Sequence, residues 1–320
     1  MRQGLRSMTA VLLAAVLTVV AAFAVPDTAR AQESGYHLYI NTAKNVVTAY
    51  LDGEPVRAML CSTGVDTPKE GTWNLPSKYR WHELNGKVYG QYCSRITPHM
   101  LFHSVPLHSP SPAALKTNYY DKLGTTASAG CTRLNTADAK WIYENCPVGT
   151  PITFYVDRES DGPLGRPYFC KISKFPERLR CWDPTDVTLG NPWNEYVGEA
   201  FDAAYYQAAY PDLQGAVWNE DSLRFHWLTA GIREGRVAAE GFSVNAYREA
   251  RPDLQAIYGD DNYAYVRHYN YEKKLEQAGN FNAAHYADRY PDLKAAYGYD
   301  EIALLDHYLT YGMAEGRDAS

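Results

Sequence analysis

Three stretches beginning at Phe201, Phe242 and Phe281 repeat one pattern, and that repetition limits the possible fold more than any single motif. Ten residues after each phenylalanine comes Pro211-Asp212-Leu213, Pro252-Asp253-Leu254 or Pro291-Asp292-Leu293. Tyr206, Tyr247 and Tyr286 stand at a common offset, and each stretch then reaches a histidine followed by an aromatic: His226-Trp227, His268-Tyr269 and His307-Tyr308. The first and third close on Glu234-Gly235-Arg236 and Glu315-Gly316-Arg317; the middle one has Glu272-Lys273-Lys274 nearby instead. The starts lie 41 and then 39 residues apart. Such a period marks stacked supersecondary units that cannot bury their apolar faces singly. Alanine, leucine and tyrosine at helical spacing, with proline opening new helices, point to short helices. Residues 201–320 are therefore expected to form an α-helical repeat domain, and the recurring tyrosines and histidines to pack between helices.

The preceding half has a different texture. Tyr36-His37-Leu38-Tyr39-Ile40 and Val46-Val47-Thr48-Ala49-Tyr50-Leu51 read as a hairpin, and residues 56–61, 88–92, 100–102 and 152–156 as further strands. Asn135 or Thr136 can cap a helix running to about Asn145, with Pro147 beyond its end. Many short strands with one helix predict a β-sandwich over residues 35–157. Residues 158–200 hold Gly162-Pro163, Gly165, Pro167, Pro176, Pro184, Gly190 and Pro192 and read as an ordered linker without a core of its own.

Chemistry concentrates at Ser128-Ala129-Gly130-Cys131-Thr132-Arg133. A cysteine between a glycine and a small residue, read as lying just before a helix start, can present its sulfur at a surface. Backbone N–H groups at such a turn can stabilise a thiolate or an oxyanion. Upstream, the strand-like run Met100-Leu101-Phe102 ends at His103-Ser104. A cysteine and a histidine brought together by the fold are the minimum for thiol acyl transfer. His99, His103 and His108 could instead be metal ligands, but no fourth group stands at a recognisable spacing. No cofactor is expected.

These stretches resemble the catalytic signatures of the L,D-transpeptidase family, the YkuD-type domain of bacterial cell-wall enzymes. The family pattern is a histidine followed by Gly or Ser, then Ser-x-Gly-Cys-x-Arg; His103-Ser104 and Ser128 to Arg133 match it. Ser62-Thr63-Gly64, Thr67-Pro68-Lys69-Glu70-Gly71, Ala137-Asp138-Ala139 and Val148-Gly149-Thr150-Pro151 extend the match over about residues 35–157. The resemblance implies a β-sandwich fold, with Cys131 as nucleophile and His103 as base and later acid. It implies that the Ser104 carbonyl orients the imidazole and that N–H groups near Gly130 and Cys131 receive the oxyanion. Arg133 reads as a clamp on the loop, and Ser128 as bonded within it. A neighbouring imidazole is expected to shift the pair toward thiolate and imidazolium. Two departures stand out. Ala129 occupies a position where many members carry histidine, and the interval from His103 to Cys131 is long. Its extra residues, around 107–122, are expected to form a lid or substrate-side loop, and His108 within them leaves a second candidate base.

The N-terminus reads as an export signal over residues 1–31: Arg2 and Arg6, an apolar run over residues 9–24, then Ala29-Arg30-Ala31. An uncleaved anchor is the alternative, although the run is short for a spanning helix of ~20 apolar residues. No later stretch approaches that length. The chain after residue 31 holds 28 basic and 36 acidic residues, and residues 201–320 hold 11 and 19, so the acidity lies in the repeats. Nothing resembles the basic footprint of a nucleic-acid binder. With Cys131 free, five cysteines remain; Cys170 and Cys181 are the expected disulfide, and spacing leaves Cys61, Cys93 and Cys146 open.

The combined expectation is a secreted, wall-associated peptidoglycan L,D-transpeptidase acting on stem peptides. Hydrolysis by the same thioester, an L,D-carboxypeptidase, is one alternative, and a surface-binding protein with a vestigial enzyme domain is another. The repeats resemble short units appended to bacterial surface proteins, and a wall glycan or surface partner is the alternative to pure packing for their aromatics. A chain ending near Asp157 or Ala200 is expected to keep thioester formation, the repeats acting as a tether.

Overall fold

The structure is a computed structural model that describes residues 35–320; the expected export signal over residues 1–31 lies outside the described residues. Strands β1 (Tyr36–Asn41), β2 (Val46–Leu51), β3 (Glu54–Ser62), β4 (Gly71–Asn74), β5 (Lys78–Leu84), β6 (Val88–Thr97), β7 (Met100–Ser104), β8 (Thr132–Leu134) and β9 (Pro151–Tyr155) form one sheet. Its order is β4-β9-β1-β2-β3-β8-β7-β6-β5. The mainly-β expectation thus takes the form of a single sheet curled over its own core. Strand β3 joins the two halves. Most of it pairs with β2, and its last residues, Cys61 and Ser62, pair with Leu134 and Arg133 of β8. Side chains alternate across a strand, so Leu38 and Ile40 reach the core together with Met59, Phe102 and Phe154. Helix α2 (Thr136–Asn145), following the four-residue α1 (Thr117–Tyr120), closes this core with Ala139 and Ile142.

Three strands escaped the sequence pattern. Every residue of the edge strand β5 is half-buried or exposed, so it shows no apolar alternation. Strand β4 begins at a glycine and β8 is three residues long. Because β8 follows Cys131 directly, the cysteine sits before a strand, not before a helix as expected.

Residues 107–122 are not a lid. Their apolar side chains Leu107, Leu115 and Tyr120 are buried. The backbone is tied to the following segment, Leu115 N–H donating to the Cys181 carbonyl (2.9 Å) and the Thr117 hydroxyl to that of Arg180 (2.8 Å). Burying those apolar groups outweighs any loop mobility, and the insertion becomes a docking surface. Residues 158–200, read as lacking a core, fill the gap on its other side. With α3 (Glu177–Arg180) they contribute Ile172, Leu179, Trp193, Tyr196 and Ala200 to one buried cluster. That cluster runs from Val46, Leu60 and Tyr120 of the sheet half through to Phe225 and Trp227 of the first repeat. The two halves are packed, not merely tethered. The expected Cys170–Cys181 disulfide is not formed; all six cysteines are free thiols.

The first repeat comprises α4 (Ala203–Ala209), α5 (Glu220–His226) and α6 (Ile232–Glu234); the second α7 (Val244–Ala250), α8 (Pro252–Tyr258) and α9 (Asn262–Ala278); the third α10 (Ala283–Arg289), α11 (Pro291–Tyr297) and α12 (Glu301–His307). Asp202, Ser243 and Asn282 cap the first helix of each. The repeated tyrosine meets the repeated histidine each time: Tyr206 and His226 at 2.9 Å, Tyr247 and His268 at 2.9 Å, Tyr286 and His307 at 3.1 Å, hydroxyl to Nδ1. These groups are packed inside their units. In units one and three a single π-helical turn follows the histidine and brings Gly231 or Gly312 against the tyrosine hydroxyl, where a Cβ would overlap it. Arg236 and Arg317 then stack on Tyr210 and Tyr290 and pair with Asp212 and Asp292. The middle unit lacks the Glu-Gly-Arg ending. There Arg251 stands in the place of Tyr210 and Tyr290 before the proline, and pairs with both Asp253 and Glu272. The missing arginine is replaced from another position.

Candidate active site

Strands β7 and β8 run parallel, with His103 opposite Arg133. Cys131 lies two residues before Arg133 and, by strand alternation, on the same face. His103, Ser128, Gly130, Cys131 and Arg133 all line one cleft of about 260 Å³. His108 does not line it: it is exposed, its N–H bonded to the Ala114 carbonyl (2.8 Å). Of the two candidate bases, only His103 shares the cleft with the cysteine.

His103 is 2% exposed, and its Nδ1 lies 2.6 Å from the Ser104 carbonyl oxygen. A carbonyl only accepts, so Nδ1 carries the proton and Nε2 is left with its lone pair. Ser104 is held in turn, its hydroxyl accepting from the Gln91 N–H (3.1 Å) and donating to the Val105 carbonyl (3.1 Å). Burial lowers the His103 pKa to about 4, against the help of the Ser104 carbonyl, and the nearby Arg133 and His82 push the same way. Burial also raises the Cys131 thiol above its ordinary value, although the Leu101 N–H and the charges of Arg133 and Arg95 pull it down. Both shifts act against the expected thiolate–imidazolium pair and favour the thiol and the neutral imidazole.

The cysteine loop is held from three sides. The Ser128 hydroxyl donates to the Cys131 carbonyl (2.6 Å), and Arg133 donates to the Ala127 carbonyl (2.7 Å) while lying over the Tyr119 ring (4.8 Å). The third side is the stretch after β3. The Asp66 N–H donates to the Ala129 carbonyl (2.8 Å), the Thr67 hydroxyl donates to the Gly130 carbonyl (2.7 Å), and the Ala127 N–H donates to the Thr63 carbonyl (3.0 Å). Asn45, at the tip of the β1–β2 hairpin, accepts from both the N–H and the hydroxyl of Thr63 (2.9 and 2.7 Å). Gly64 is pressed against this loop so closely that a Cβ would overlap Ala129 and Gly130 backbone atoms. Among the described residues, the Gly130 and Cys131 N–H groups have no protein acceptor.

The sequence showed Ser62-Thr63-Gly64 and Thr67 only as matching motifs; their role as the outer brace of the cysteine loop comes from the structure. His82 and Glu83 of β5 and Arg95 of β6 also line the cleft and went unread; the half-exposed edge strand β5 carries no pattern that marks a site. Among the described residues no cluster of three or more acidic, histidine or cysteine side chains is arranged to hold a metal, and no helix is long and apolar enough to cross a membrane.

Residues 35–154 match the family model of the L,D-transpeptidase catalytic domain, YkuD. A Bacillus subtilis (strain 168) protein named "Putative L,D-transpeptidase YciB" is 35% identical over 127 residues, which cover 36% of this chain and 64% of that protein. The chain thus spans a little under two thirds of that relative. Among solved structures, an L,D-transpeptidase from Mycobacterium smegmatis is 23% identical, over 38% of this chain and 59% of that one, with a TM-score of 0.33. One from Mycobacterium tuberculosis H37Rv is 25% identical, over 38% and 57%, with a TM-score of 0.30.

Proposed function

We propose that this chain, whose residues 35–154 match the family model of the L,D-transpeptidase catalytic domain, is an exported enzyme that crosslinks peptidoglycan stem peptides through a Cys131 thioester. The observation that carries the reading is the His103 tautomer: with Nδ1–H held by the Ser104 carbonyl, Nε2 is available as a base in the cleft shared with Cys131.

With both groups shifted toward their neutral forms, the thiol proton passes to His103 Nε2 as sulfur attacks, and no standing thiolate is needed. The target is the carbonyl of the L-configured third residue of a tetrapeptide stem. Its oxygen gains the negative charge and is received by the Gly130 and Cys131 N–H groups. When the C–N bond breaks, His103 returns the proton to the departing D-alanine amine and the thioester remains. The side-chain amine of a second stem then attacks the thioester carbonyl, loses its proton to His103, and sulfur leaves to recover it as the thiol. The bonding of Ser128, Arg133, Asp66 and Thr67 around the loop fixes the backbone that carries the two N–H groups.

The test has two parts. A carbapenem should add its mass to Cys131 in the intact protein and not in Cys131→Ala. Incubation with tetrapeptide muropeptides should then yield crosslinked dimers. Trimmed tripeptides without dimers would make water the acceptor and the enzyme an L,D-carboxypeptidase. Absence of any adduct would leave a surface-binding protein.

A further inference from the structure

A second groove, larger than the cysteine cleft, opens between the 174–179 segment and the second repeat, with a volume of about 520 Å³. That is within the usual range for small-ligand sites, about 300–1,000 Å³. Three aromatic rings line it. Tyr263 meets Phe175 and Tyr196 edge to face, at 6.0 and 5.5 Å between centroids, so the rings are held at fixed angles. The Tyr263 hydroxyl is engaged inward with the Leu228 carbonyl (2.8 Å), which leaves an apolar ring toward the groove.

The charge here reverses that of the surrounding repeats. Arg178 and Arg267 share one carboxylate, Glu195, at 3.0 and 2.7 Å. Lys174, whose ammonium lies over the Phe175 ring (5.6 Å to its centroid), and Arg233 also line the groove and, among the described residues, form no salt bridge. Asp261, the acid in the lining, caps α9 through the Tyr263 and Ala264 N–H groups and keeps its negative charge. Against Asp261 and Glu195, the four cations Lys174, Arg178, Arg233 and Arg267 leave a net charge of +2 around fixed aromatic rings in an otherwise acidic array.

We propose that this groove binds a saccharide carrying an anionic group, its ring against Tyr196 and Tyr263 and its anion between Arg233 and the Lys174 ammonium that lies on Phe175. Flat apolar faces suit the C–H face of a sugar ring, and charge-assisted bonds from exposed cations fix the anion. The choice of a saccharide rests on the proposed action at the cell wall; the groove itself suits a ring-bearing anion. Two wall sources share that chemistry: the carboxylate of a muramic acid unit and the phosphate of a sugar phosphate.

The test is calorimetric titration of the full chain with three probes: peptide-free N-acetylglucosaminyl-N-acetylmuramic acid, N-acetylglucosamine 1-phosphate, and neutral chitobiose. Saturable binding of at least one anionic probe is expected, and the tighter one names the source. Chitobiose should bind at least about tenfold more weakly, and Lys174→Ala/Arg233→Ala should weaken the anionic probe about tenfold or more. Both substituted residues are exposed, so the variant should melt with the wild type. Carbapenem acylation at Cys131 should be unchanged in it, which separates this site from the catalytic reading: loss of the adduct in wild type would sink that reading alone. Equal affinity for chitobiose, an unchanged affinity in the double variant, or no saturable binding of either anion would overturn the groove's assignment.

Discussion

Gly64 lies against the backbone of Ala129 with no room for a side chain between them. The contact joins the end of β3 to the cysteine loop, and around it run the hydrogen bonds from Asp66 and Thr67 to the same loop. A methyl group here meets backbone, which cannot rotate away, so the two strands of the brace must separate. Gly64→Ala should therefore destabilise the fold by about 1–3 kcal/mol and, because the loop moves with it, slow carbapenem acylation of Cys131 by more than tenfold. A variant that melts lower but acylates at the wild-type rate would show that the brace supports folding and not the site.

The pH dependence of acylation should reflect a neutral resting pair. With the His103 pKa near 4, the imidazole stays a competent base well below the ordinary histidine range. The acid limb of the acylation rate should fall near pH 4, not near 6.5. Alkylation of Cys131 by iodoacetamide should keep rising through neutral pH, since burial holds the thiol above its usual value. A plateau of fast alkylation between about pH 5 and 7 would identify a standing thiolate and overturn the neutral pair.

Stability should show two opposing windows. Unfolded His103 binds a proton near 6.5 and the folded residue only near 4, so as pH falls between them the unfolded state takes up the proton first. Stability is lost there, by about 3 kcal/mol in full. Buried Asp183 runs the other way: its carboxyl is raised to about 6 from 3.8, so the folded state protonates first and gains stability as pH falls through that window. Relative to wild type, His103→Gln should gain stability on acidification from pH 7 to 5, and Asp183→Asn should lose it. Denaturant midpoints at the two pH values check both signs.

His103 and His108 can be separated directly. His103→Ala removes the base and should abolish acylation, whereas His108, outside the cleft, should leave acylation within a factor of two or so. Loss in His108→Ala alone would reverse the assignment.

Most of the β half was legible because its apolar residues alternate: Leu38 and Ile40 on β1 are buried as the pattern requires. The α2 cap was legible in Asn135, which accepts from the Asp138 N–H (2.8 Å). Cys131 and His103 were legible as residue types in an order. Their protonation was not, because it depends on burial, and burial depends on strands distant in sequence. The same limit hid the role of residues 107–122. Leu115 and Tyr120 read equally well as lid residues or as interface, and only the position of Phe169 and Phe225 beside Tyr120, 6.0 and 6.4 Å between ring centroids, decides it. In the repeats the period was plain, but the exchange of Arg251 for the missing third-position arginine was not, since it links residues through space.

Truncation follows from that interface. A repeat array on a flexible linker could be removed at Asp157 without effect on the site. Here the linker caps the helix that follows the cysteine strand: Asp183 accepts from the Thr136 N–H (2.7 Å) and Thr185 from the Ala137 N–H (3.1 Å). Asp221 of α5 reaches Arg57 of β3 (2.7 Å), which also holds Asp138 of α2 (2.7 Å). Ending the chain at Asp157 removes the caps and uncovers Leu60, Val105, Leu115, Tyr120 and Leu123. At about 1.5–3 kcal/mol for each large apolar side chain that returns to water, the loss is of the same order as a whole domain's stability of about 5–15 kcal/mol. The shortened chain should therefore unfold or aggregate at 37 °C and lose acylation through loss of the folded state. Ending at Ala200 keeps Asp183, Thr185 and the cover from Trp193 and Tyr196, but removes Phe225 and Trp227. It should fold with a lower melting temperature and acylate at a rate near wild type once corrected for the folded fraction. Melting curves and carbapenem mass shifts on the three lengths make the comparison. A chain ending at Asp157 that melts and acylates like the full protein would show that the catalytic half is self-sufficient and the packed interface incidental.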